Sequence, residues 1–336
     1  MLKVCLLTFW VSFVTISFAQ APTYEWVKGL TGNGSAIIRD IETDNLGNSY
    51  IVGQYYGSNL VVQNISLSNS GMSDGFIIKA DSFGNVVWSK KIRGIGFEIV
   101  SFIEVDNDLN VYFAGIFTSS EITINGMTIT NQGLNDSFFG KYDSNGNLVY
   151  LNSIGGLENQ TILSIDVFDN NKICISGSFN SSNLNLGGII LNSSSGEQFF
   201  SALVDSDGSF SSATNHNYVI CGIQYDNQGN YYLAANFNSP QINLGGTIIN
   251  NNGGYDFFIA KFDGDDNLIW VKNYGSSSDD SIWHFSLNNN GDLVLEGTFG
   301  NSSINIENTI FQPYPVFNQE NNFFIKLNSN FTKKSN

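Results

Sequence analysis

The sequence predicts an all-β fold made of repeated four-stranded antiparallel sheets. Three observations support this: one hairpin pattern recurs five times, a second hairpin recurs in step with it, and no stretch beyond residue 20 shows a sustained 3.6-residue apolar period. The strands are also apolar on both faces, as in Phe258-Ile259-Ala260. Each sheet is therefore expected to be covered on both sides by neighbouring sheets.

The first repeated hairpin is clearest in residues 256–272, DFFIAKFDGDDNLIWVK. In its consensus D-x-x-G-N turn, the Asp side chain caps the turn and the Gly takes a positive φ. The corresponding turn residues lie 62, 62, 58 and 65 positions apart, at Asp81, Asp143, Asp205, Asp263 and Asn328.

The second hairpin is clearest between Ile41 and Tyr55, and its copies follow at steps of 62, 62, 58 and 62 residues from Gly53. Between the two hairpins lies a shorter element with an Asn-Gly or Gly-Gly centre, a signal for a tight hairpin. It is present at residues 122–129, 184–191, 242–249 and 304–311. Each unit thus contributes four main strands and a small inserted ribbon.

Sheets that stack face to face in sequence order form a β-propeller, here with five blades. The segment Tyr24–Gly29 resembles the fourth strand Ile269–Lys272, whereas the last repeat ends at a third strand, Phe323–Leu327. We therefore expect the N-terminal strand to complete the fifth blade and close the ring, which would pair two exposed edges. An open stack that dimerises is the alternative.

The two motifs, D-x-F-I-x-K-x-D-x-x-G-N-L-x-W and D-x-x-G-N-x-Y-[IV]-x-G, resemble those of the bacterial β-propeller repeat (SBBP) family, over residues 21–330. The resemblance implies a secreted or surface-exposed β-propeller and no particular activity. Several members carry a C-terminal sorting domain, and we expect only a short tail at residues 331–336.

The first nineteen residues have the pattern of a secretory signal peptide. Lys3 precedes the apolar stretch Val4–Phe18, and Ser17 and Ala19 supply the small residues of a cleavage site before Gln20. A membrane anchor is the alternative, but the stretch is short for one. Residues 20–330 are then one propeller domain of a secreted or cell-surface protein. Of the remaining cysteines, Cys174 and Cys221 are expected to be buried free thiols.

The charge is strongly acidic, with 30 Asp and Glu against 14 Lys and Arg and a net charge of −16. Such a surface repels phosphate backbones and anionic lipid, which excludes nucleic acid and membrane insertion as expected roles. A protein or glycan ligand is compatible with it. We expect a monomer without a cofactor.

The acidic turns invite comparison with calcium loops, for example Asp263-Gly264-Asp265-Asp266. A calcium loop needs acids at alternate positions, a Gly at position six and a distal Glu, and none of the turns has the full set. We interpret them as structural turns and predict no metal site.

Residues that break the repeat are the candidates for function. In propellers the loops entering the innermost strands surround one mouth of the central channel, and here those loops carry four non-repeating acids. They are the candidate catalytic residues Glu98, Glu158, Asp279 and Asp280. Glycoside hydrolysis would need two such acids at a defined separation, one with a raised pKa.

A polar column follows the innermost strands, one step after the core Ile or Phe. It comprises Glu42, Glu104, Asp166, Gln224 and Ser286, with Arg39, Asp40 and His284 nearby. This column predicts a polar, mostly acidic channel whose binding candidates are Glu42, Glu104, Asp166, Gln224 and His284. The alternative is a ring of side chains that only water satisfies.

The fifth unit contains an insertion rich in aromatic residues and proline, residues 311–317. Tyr314 and Phe317 in it are candidates for binding a partner. The alternative is that the insertion packs over the place where the predicted ring closes.

From the residues alone we expect a non-enzymatic binding or scaffold protein that recognises a protein or a glycan. One alternative is a carbohydrate-active enzyme using the channel-mouth carboxylates. Another is a multivalent lectin with one site in each blade.

Overall fold

Alternating apolar hairpins and D-x-x-G-N turns produce antiparallel sheets that follow one another in chain order. The computed structural model describes residues 25–168, 172–193, 196–226, 228–288, 290–314 and 321–328. The predicted signal peptide and the C-terminal tail lie outside these ranges. In the described part, no helix is long and apolar enough to cross a bilayer.

We number the main sheets 1 to 5 and their inserted ribbons accordingly. A short strand, β1 (Leu30–Gly32), precedes sheet 1. Sheet 1 contains β2 (Ala36–Thr43), β3 (Ser49–Tyr55), β6 (Asp74–Ala80) and β7 (Val86–Ile92), with ribbon 1 formed by β4 (Asn59–Val62) and β5 (Ile65–Ser68). Sheet 2 contains β8 (Glu98–Val105), β9 (Val111–Phe117), β12 (Asp136–Tyr142) and β13 (Leu148–Ile154), with ribbon 2 formed by β10 (Glu121–Ile124) and β11 (Met127–Thr130).

The remaining sheets repeat this order. Sheet 3 contains β14 (Gln160–Phe168), β15 (Lys172–Phe179), β18 (Gln198–Val204) and β19 (Phe210–His216), with ribbon 3 formed by β16 (Asn183–Leu186) and β17 (Ile189–Asn192). Sheet 4 contains β20 (Val219–Tyr225), β21 (Tyr231–Phe237), β24 (Asp256–Phe262) and β25 (Leu268–Tyr274), with ribbon 4 formed by β22 (Gln241–Leu244) and β23 (Thr247–Asn250). Sheet 5 contains β26 (Asp280–Leu287), β27 (Leu293–Phe299) and β30 (Asn321–Leu327), with ribbon 5 formed by β28 (Ile304–Ile306) and β29 (Thr309–Phe311).

Successive sheets pack face to face through buried aliphatic and aromatic side chains. Tyr50 and Ile77 of sheet 1 share one cluster with Val100 and Phe113 of sheet 2. Each such side chain contributes about 1.5–3 kcal/mol when fully buried. The corresponding contacts join sheets 2 and 3 through Phe139 and Ile165, sheets 3 and 4 through Cys174 and Ile223, and sheets 4 and 5 through Ile259 and Leu295. The prediction of apolar strands covered on both faces is thereby confirmed for the inner sheets.

The D-x-x-G-N turns have the structure that the sequence predicts. Asp143 Oδ1 accepts hydrogen bonds from the backbone N–H of Asn145 (3.0 Å) and Asn147 (2.8 Å), and Gly146 has a φ of 78°. The acidic residues of these turns therefore satisfy backbone donors. Cys174 is buried and Cys221 half-buried, and both are free thiols.

Every innermost strand contains a β-bulge at the same place. The register of each first hairpin shifts by one residue directly after an aliphatic residue, which is buried in sheets 2 to 5. The extra residues are Arg39, Ser101, Leu163, Cys221 and Trp283. Because a bulge redirects one side chain without ending the strand, these five positions are free to differ in chemistry.

The N-terminal segment does not form the predicted fourth strand of the last sheet. Residues 26–29 are not a strand, and β1 pairs instead with β4 of ribbon 1. The physical reason is that Trp26 is held against the turn of sheet 1. Its indole packs on Gly84 and donates a hydrogen bond to the carbonyl of Ser82 at 3.2 Å. Trp88 packs in the same way on Gly146 of the next sheet.

The faces of sheets 1 and 5 that point away from sheets 2 and 4 are exposed. Ile41 is 54% exposed, whereas its counterpart Ile103 in sheet 2 is 1% exposed. Phe324 of sheet 5 is 84% exposed, whereas its counterpart Phe139 is fully buried. Among the described strands β30 pairs only with β27, so one edge of sheet 5 is open.

Candidate functional site

A cavity of about 620 Å³ lies between the innermost strands of all five sheets. Its wall includes the whole predicted polar column, Glu42, Glu104, Asp166, Gln224 and Ser286, together with Asp40 and His284. The sequence-predicted binding residues of the innermost strands therefore meet at one place. The five strands bring them together because each contributes the residue three positions after its bulge residue.

Asp166 is the most constrained acid of this cavity. Its Oδ2 accepts a hydrogen bond from the backbone N–H of Ile223 at 3.1 Å, and its Oδ1 accepts one from Gln224 Nε2 at 2.7 Å. Burial nevertheless raises the pKa of Asp166 to about 7. The side chain thus links sheets 3 and 4 and is a proton-holding group at neutral pH.

The pKa values of three further acids of this cavity, Asp40, Glu42 and Glu104, are raised as well. Burial, followed by the negative charge of Asp166 and then of Glu42, raises the pKa of Glu104 well above its usual value. Burial likewise raises the pKa of Asp40, whose Oδ2 accepts the backbone N–H of Ile103 at 2.9 Å. Carboxylates that lie close together repel one another, which adds to burial in raising the pKa of Glu104 and Glu42.

His284 lies at the border of this cavity and is exposed. Its Nδ1 is 3.7 Å from Glu296 Oε2. The pair belongs entirely to sheet 5 and faces sheet 1, where Asp40 lies close enough for the charge of His284 to lower the pKa of the Asp40 carboxyl.

A second, larger cleft of about 770 Å³ opens at the channel mouth above sheets 3 to 5. It shares Leu163 and Trp283 with the cavity, so the two spaces are neighbours. The polar part of its wall includes Glu197, Ser277, Ser278, Asp279 and Asn301. Of the four candidate catalytic acids, Asp279 is the one that lines this cleft.

Trp283 is an exposed aromatic residue in the wall of the cleft. It is the bulge residue of β26, its ring is 55% exposed, and its Nε1 donates to Thr298 Oγ1 at 3.1 Å. The hydrogen bond restrains the orientation of the exposed ring. Sequence reasoning missed Trp283, although the change of residue type at this repeated position (Arg, Ser, Leu, Cys, Trp) was a usable signal.

The other candidate catalytic acids lie outside the cleft. Glu98 and Asp280 are fully buried at the start of innermost strands, and Glu98 accepts a hydrogen bond from the Ser119 hydroxyl. Burial raises the pKa of Glu98 to about 7. Glu158 is exposed and borders neither space. The structure therefore separates these acids from one another.

The aromatic insertion of the fifth unit is described only in part. Tyr314 is 70% exposed, and its backbone N–H donates to Asn321 Oδ1 at 2.9 Å. Phe317 lies outside the described residues.

The chemistry of the cleft suits a neutral polyhydroxyl ligand. An exposed Trp ring packs on apolar C–H surfaces, while serine, asparagine and carboxylate groups around it exchange hydrogen bonds with hydroxyl groups. In the described part of the chain, no group of three or more His, Cys, Asp or Glu side chains is arranged to hold a metal ion.

No known protein-family profile matches this chain. One curated relative, the uncharacterized WD repeat-containing protein L264 of Acanthamoeba polyphaga mimivirus, is 22% identical over 376 aligned positions, which cover 89% of this chain and 26% of the relative. The chain therefore spans about a quarter of that relative's length. The similarity, together with the repeated four-stranded sheets, is consistent with a repeat β-propeller. The resemblance to the SBBP family remains a prediction.

Solved structures resemble this chain only weakly. An apocarotenoid oxygenase of Synechocystis is 12% identical with a TM-score of 0.41, and the match covers 79% of this chain and 56% of the oxygenase. A DUF4221-family protein of Bacteroides vulgatus is 9% identical with a TM-score of 0.32, and the match covers 88% of this chain and 91% of that protein.

Proposed function

We propose that this protein is a secreted, non-enzymatic binding module that holds a neutral glycan in the cleft at its channel mouth. The observation that carries the proposal is the position of Trp283, an exposed aromatic residue in a cleft that is also bordered by hydroxyl, amide and carboxylate groups. Sugars offer the matching combination of a C–H face and hydroxyl groups around its rim. The acidic net charge disfavours nucleic acid and anionic lipid as ligands.

The proposal includes a five-bladed propeller as the scaffold. Two features support it: residues of all five innermost strands border one cavity, and the apolar faces of sheets 1 and 5 have no neighbour. In solution the faces bearing Ile41 and Phe324 would meet and close the ring. Closure through these faces does not need the N-terminal strand, which pairs with ribbon 1.

A single binding site per molecule is proposed rather than one in each blade. The five bulge positions carry five different residue types, so the sheets do not present equivalent surfaces to a ligand. Secretion is supported by the signal-peptide pattern of residues 1–19. The protein would act as a monomer outside the cytoplasm, without a cofactor.

Titration of a panel of neutral oligosaccharides by isothermal calorimetry tests this function. We expect binding with one site per molecule, and loss of about tenfold or more in affinity for Trp283→Ala, because a stacked aromatic ring contributes roughly 1–3 kcal/mol. Phe83→Ala is the matched control, since Phe83 is 76% exposed in a turn remote from the cleft. Stoichiometry near five, or equal affinities for the two variants, would refute the proposed site.

A carbohydrate-active enzyme is the second candidate, because the channel holds acids whose pKa values are raised. Asp166, with a pKa of about 7, and Glu104 are the pair that could provide a general acid and its partner. Turnover of a glycan by the native protein that is lost in both Asp166→Asn and Glu104→Gln would establish this function. Binding without turnover favours the non-enzymatic one.

A further inference from the structure

Two fully buried carboxyl groups lie at the junction of sheets 4 and 5. Asp256 begins β24 and Asp280 begins β26, and both are 0% exposed. Asp256 Oδ2 accepts the backbone N–H and the side-chain N–H of Asn252 at 2.7 and 3.0 Å, and Asp280 Oδ2 accepts the backbone N–H of Ser276 at 2.6 Å. The other oxygen of each carboxyl, Oδ1, is buried and has no hydrogen-bond partner.

The two carboxyl groups are close neighbours. The charge of Asp280 adds to burial in raising the pKa of Asp256. A side chain at Gly275 would place its Cβ 2.1 Å from Asp256 Oδ1, and the next residue, Ser276, donates its backbone N–H to Asp280, so one loop contacts both acids. In the described part of the chain, no Lys, Arg or His nitrogen lies within 4.0 Å of either carboxyl group.

The chain contains two equivalent junctions that serve as internal comparisons. Between sheets 1 and 2, Asp74 faces Glu98, and Lys91 Nζ is 4.0 Å from Asp74 Oδ2. Between sheets 2 and 3, Asp136 begins β12 and Gln160 begins β14, so an amide takes the place of the second acid. Each of these junctions also holds buried oxygens without a partner. Of the three junctions, the one with Asp256 and Asp280 combines two acids with no nearby cation.

We propose that the junction of Asp256 and Asp280 binds one calcium ion, with the two unpartnered Oδ1 atoms as ligands. Calcium accepts six to eight oxygen ligands in flexible geometry, and water and loop carbonyls would complete its shell. Two buried carboxyl oxygens without a hydrogen-bond partner need a cation or a proton beside them, because an uncompensated buried charge is costly. The formal charge of this junction makes a divalent cation the better match.

The cation would also order the loops that border the channel-mouth cleft. Tyr255 and Asp279 line that cleft and directly precede Asp256 and Asp280, respectively. The backbone N–H of Tyr255 donates to Asp279 Oδ1 at 2.9 Å, and the backbone N–H of Asp280 donates to the Tyr255 carbonyl at 2.6 Å. Calcium at the junction would thus hold both loops together. The site goes beyond the proposed glycan-binding function and does not depend on it.

The test is calorimetric titration of calcium chloride into the metal-free mature protein at about pH 7.5, where carboxyl ligands can deprotonate, together with thermal unfolding with and without calcium. We expect one ion per molecule and a rise in Tm on adding calcium. Asp280→Asn creates the acid–amide pair that the junction of Asp136 and Gln160 already has, and it should weaken calcium binding by about tenfold or more. Glu98→Gln, the matched change at the first junction, should leave calcium binding unchanged.

Circular dichroism on Asp280→Asn and on Asp256→Asn establishes that the variants are folded. Absence of both a binding heat and a Tm shift in the native protein would overturn the proposal, as would equal calcium affinity in native protein and Asp280→Asn. A Tm that responds to pH but not to calcium would show a shared proton in place of the ion. Because no glycan is used, the result is independent of the glycan-binding test.

Discussion

The amide Nε2 of Gln224 donates a 2.7 Å hydrogen bond to Oδ1 of Asp166, and the two side chains come from neighbouring sheets. Through this contact and the backbone N–H of Ile223, a single acid joins sheets 3 and 4 inside the central cavity. The same acid carries a raised pKa, so the inner wall of the ring is sensitive to pH.

The pH dependence of stability follows from that raised pKa. Asp166 titrates at about 7 in the folded protein against 3.8 as its ordinary value, so the folded state keeps a proton that the unfolded state loses in this window. The contribution of Asp166 to stability should therefore be fully present below pH 3.8 and be lost as the pH rises through about 7. Each ~1 kcal/mol of this effect lowers Tm by about 2–4 °C.

Asp166→Asn should flatten the fall in Tm between pH 5 and pH 8, because the amide cannot ionise. Thermal unfolding followed by circular dichroism at a series of pH values measures it. An unchanged slope in the variant would mean that Asp166 is already ionised in the folded protein at pH 5.

The turn acids are predicted to be structural. Asp106 Oδ1 accepts the backbone N–H of Asp108 (2.9 Å) and of Asn110 (2.8 Å), and its Oδ2 accepts the Tyr112 hydroxyl at 3.0 Å. Asp106→Ala should lower the free energy of unfolding by about 1–3 kcal/mol, because several donors lose their acceptor. Chemical denaturation measures the change.

Asp108→Ala is the matched control for that experiment. Asp108 is exposed in the same turn and its carboxyl accepts no described hydrogen bond, so its loss should change stability by less than about 0.5 kcal/mol. Equal effects of the two substitutions would contradict the structural role of the first acid.

One turn contains a leucine where the motif has glycine. Leu109 has a φ of 64°, whereas Gly146 occupies the equivalent position of another turn with a φ of 78°. Leu109→Gly should therefore stabilise the protein, by up to about 1 kcal/mol, because the left-handed conformation penalises a side chain. Chemical denaturation of both variants tests this, with Gly146→Ala expected to destabilise; a stability loss in Leu109→Gly would show that leucine packing outweighs its strain.

Closure of the ring predicts a large effect at an exposed position. If the faces of sheets 1 and 5 meet in solution, Phe324 becomes a core residue and Phe324→Ala should cost about 3–5 kcal/mol. Phe83→Ala, at a comparably exposed phenylalanine, should cost less than about 0.5 kcal/mol. Similar denaturation midpoints for the two variants would indicate an open ring.

Much of the fold could be predicted from the sequence because turns and hairpin pairing depend on short stretches of the chain. The repeated turns fix where each strand starts, and the recurrent lysines pack as their regular spacing suggests. Lys79, Lys141 and Lys261 each lie over a tyrosine of the adjacent strand, with Nζ 5.0, 4.9 and 4.6 Å from the ring centres of Tyr50, Tyr112 and Tyr232. These contacts depend on strand pairing alone, which the two hairpin patterns define.

The candidate site was harder to predict because it depends on departures from regular pairing. The polar column was identifiable because it recurs, but a two-residue period does not reveal a bulge, so Trp283 was overlooked. The N-terminal segment was predicted to complete sheet 5 because its sequence resembles a fourth strand. That prediction was wrong, because the resemblance does not extend to strand pairing. Trp26 does occupy the place of a fourth-strand aromatic, on Gly84 of sheet 1, without any pairing to sheet 5.

The bulges of the innermost strands also have a practical consequence. Since each extra residue sits outside the regular hydrogen-bond ladder, it can be exchanged while the flanking buried aliphatic residue and its pairing partner keep their places. The chain already tolerates a cation, a hydroxyl, an aliphatic group, a thiol and an indole there. These sites are Arg39, Ser101, Leu163, Cys221 and Trp283. A combinatorial library randomised at those five codons would diversify the innermost strands on an unchanged framework.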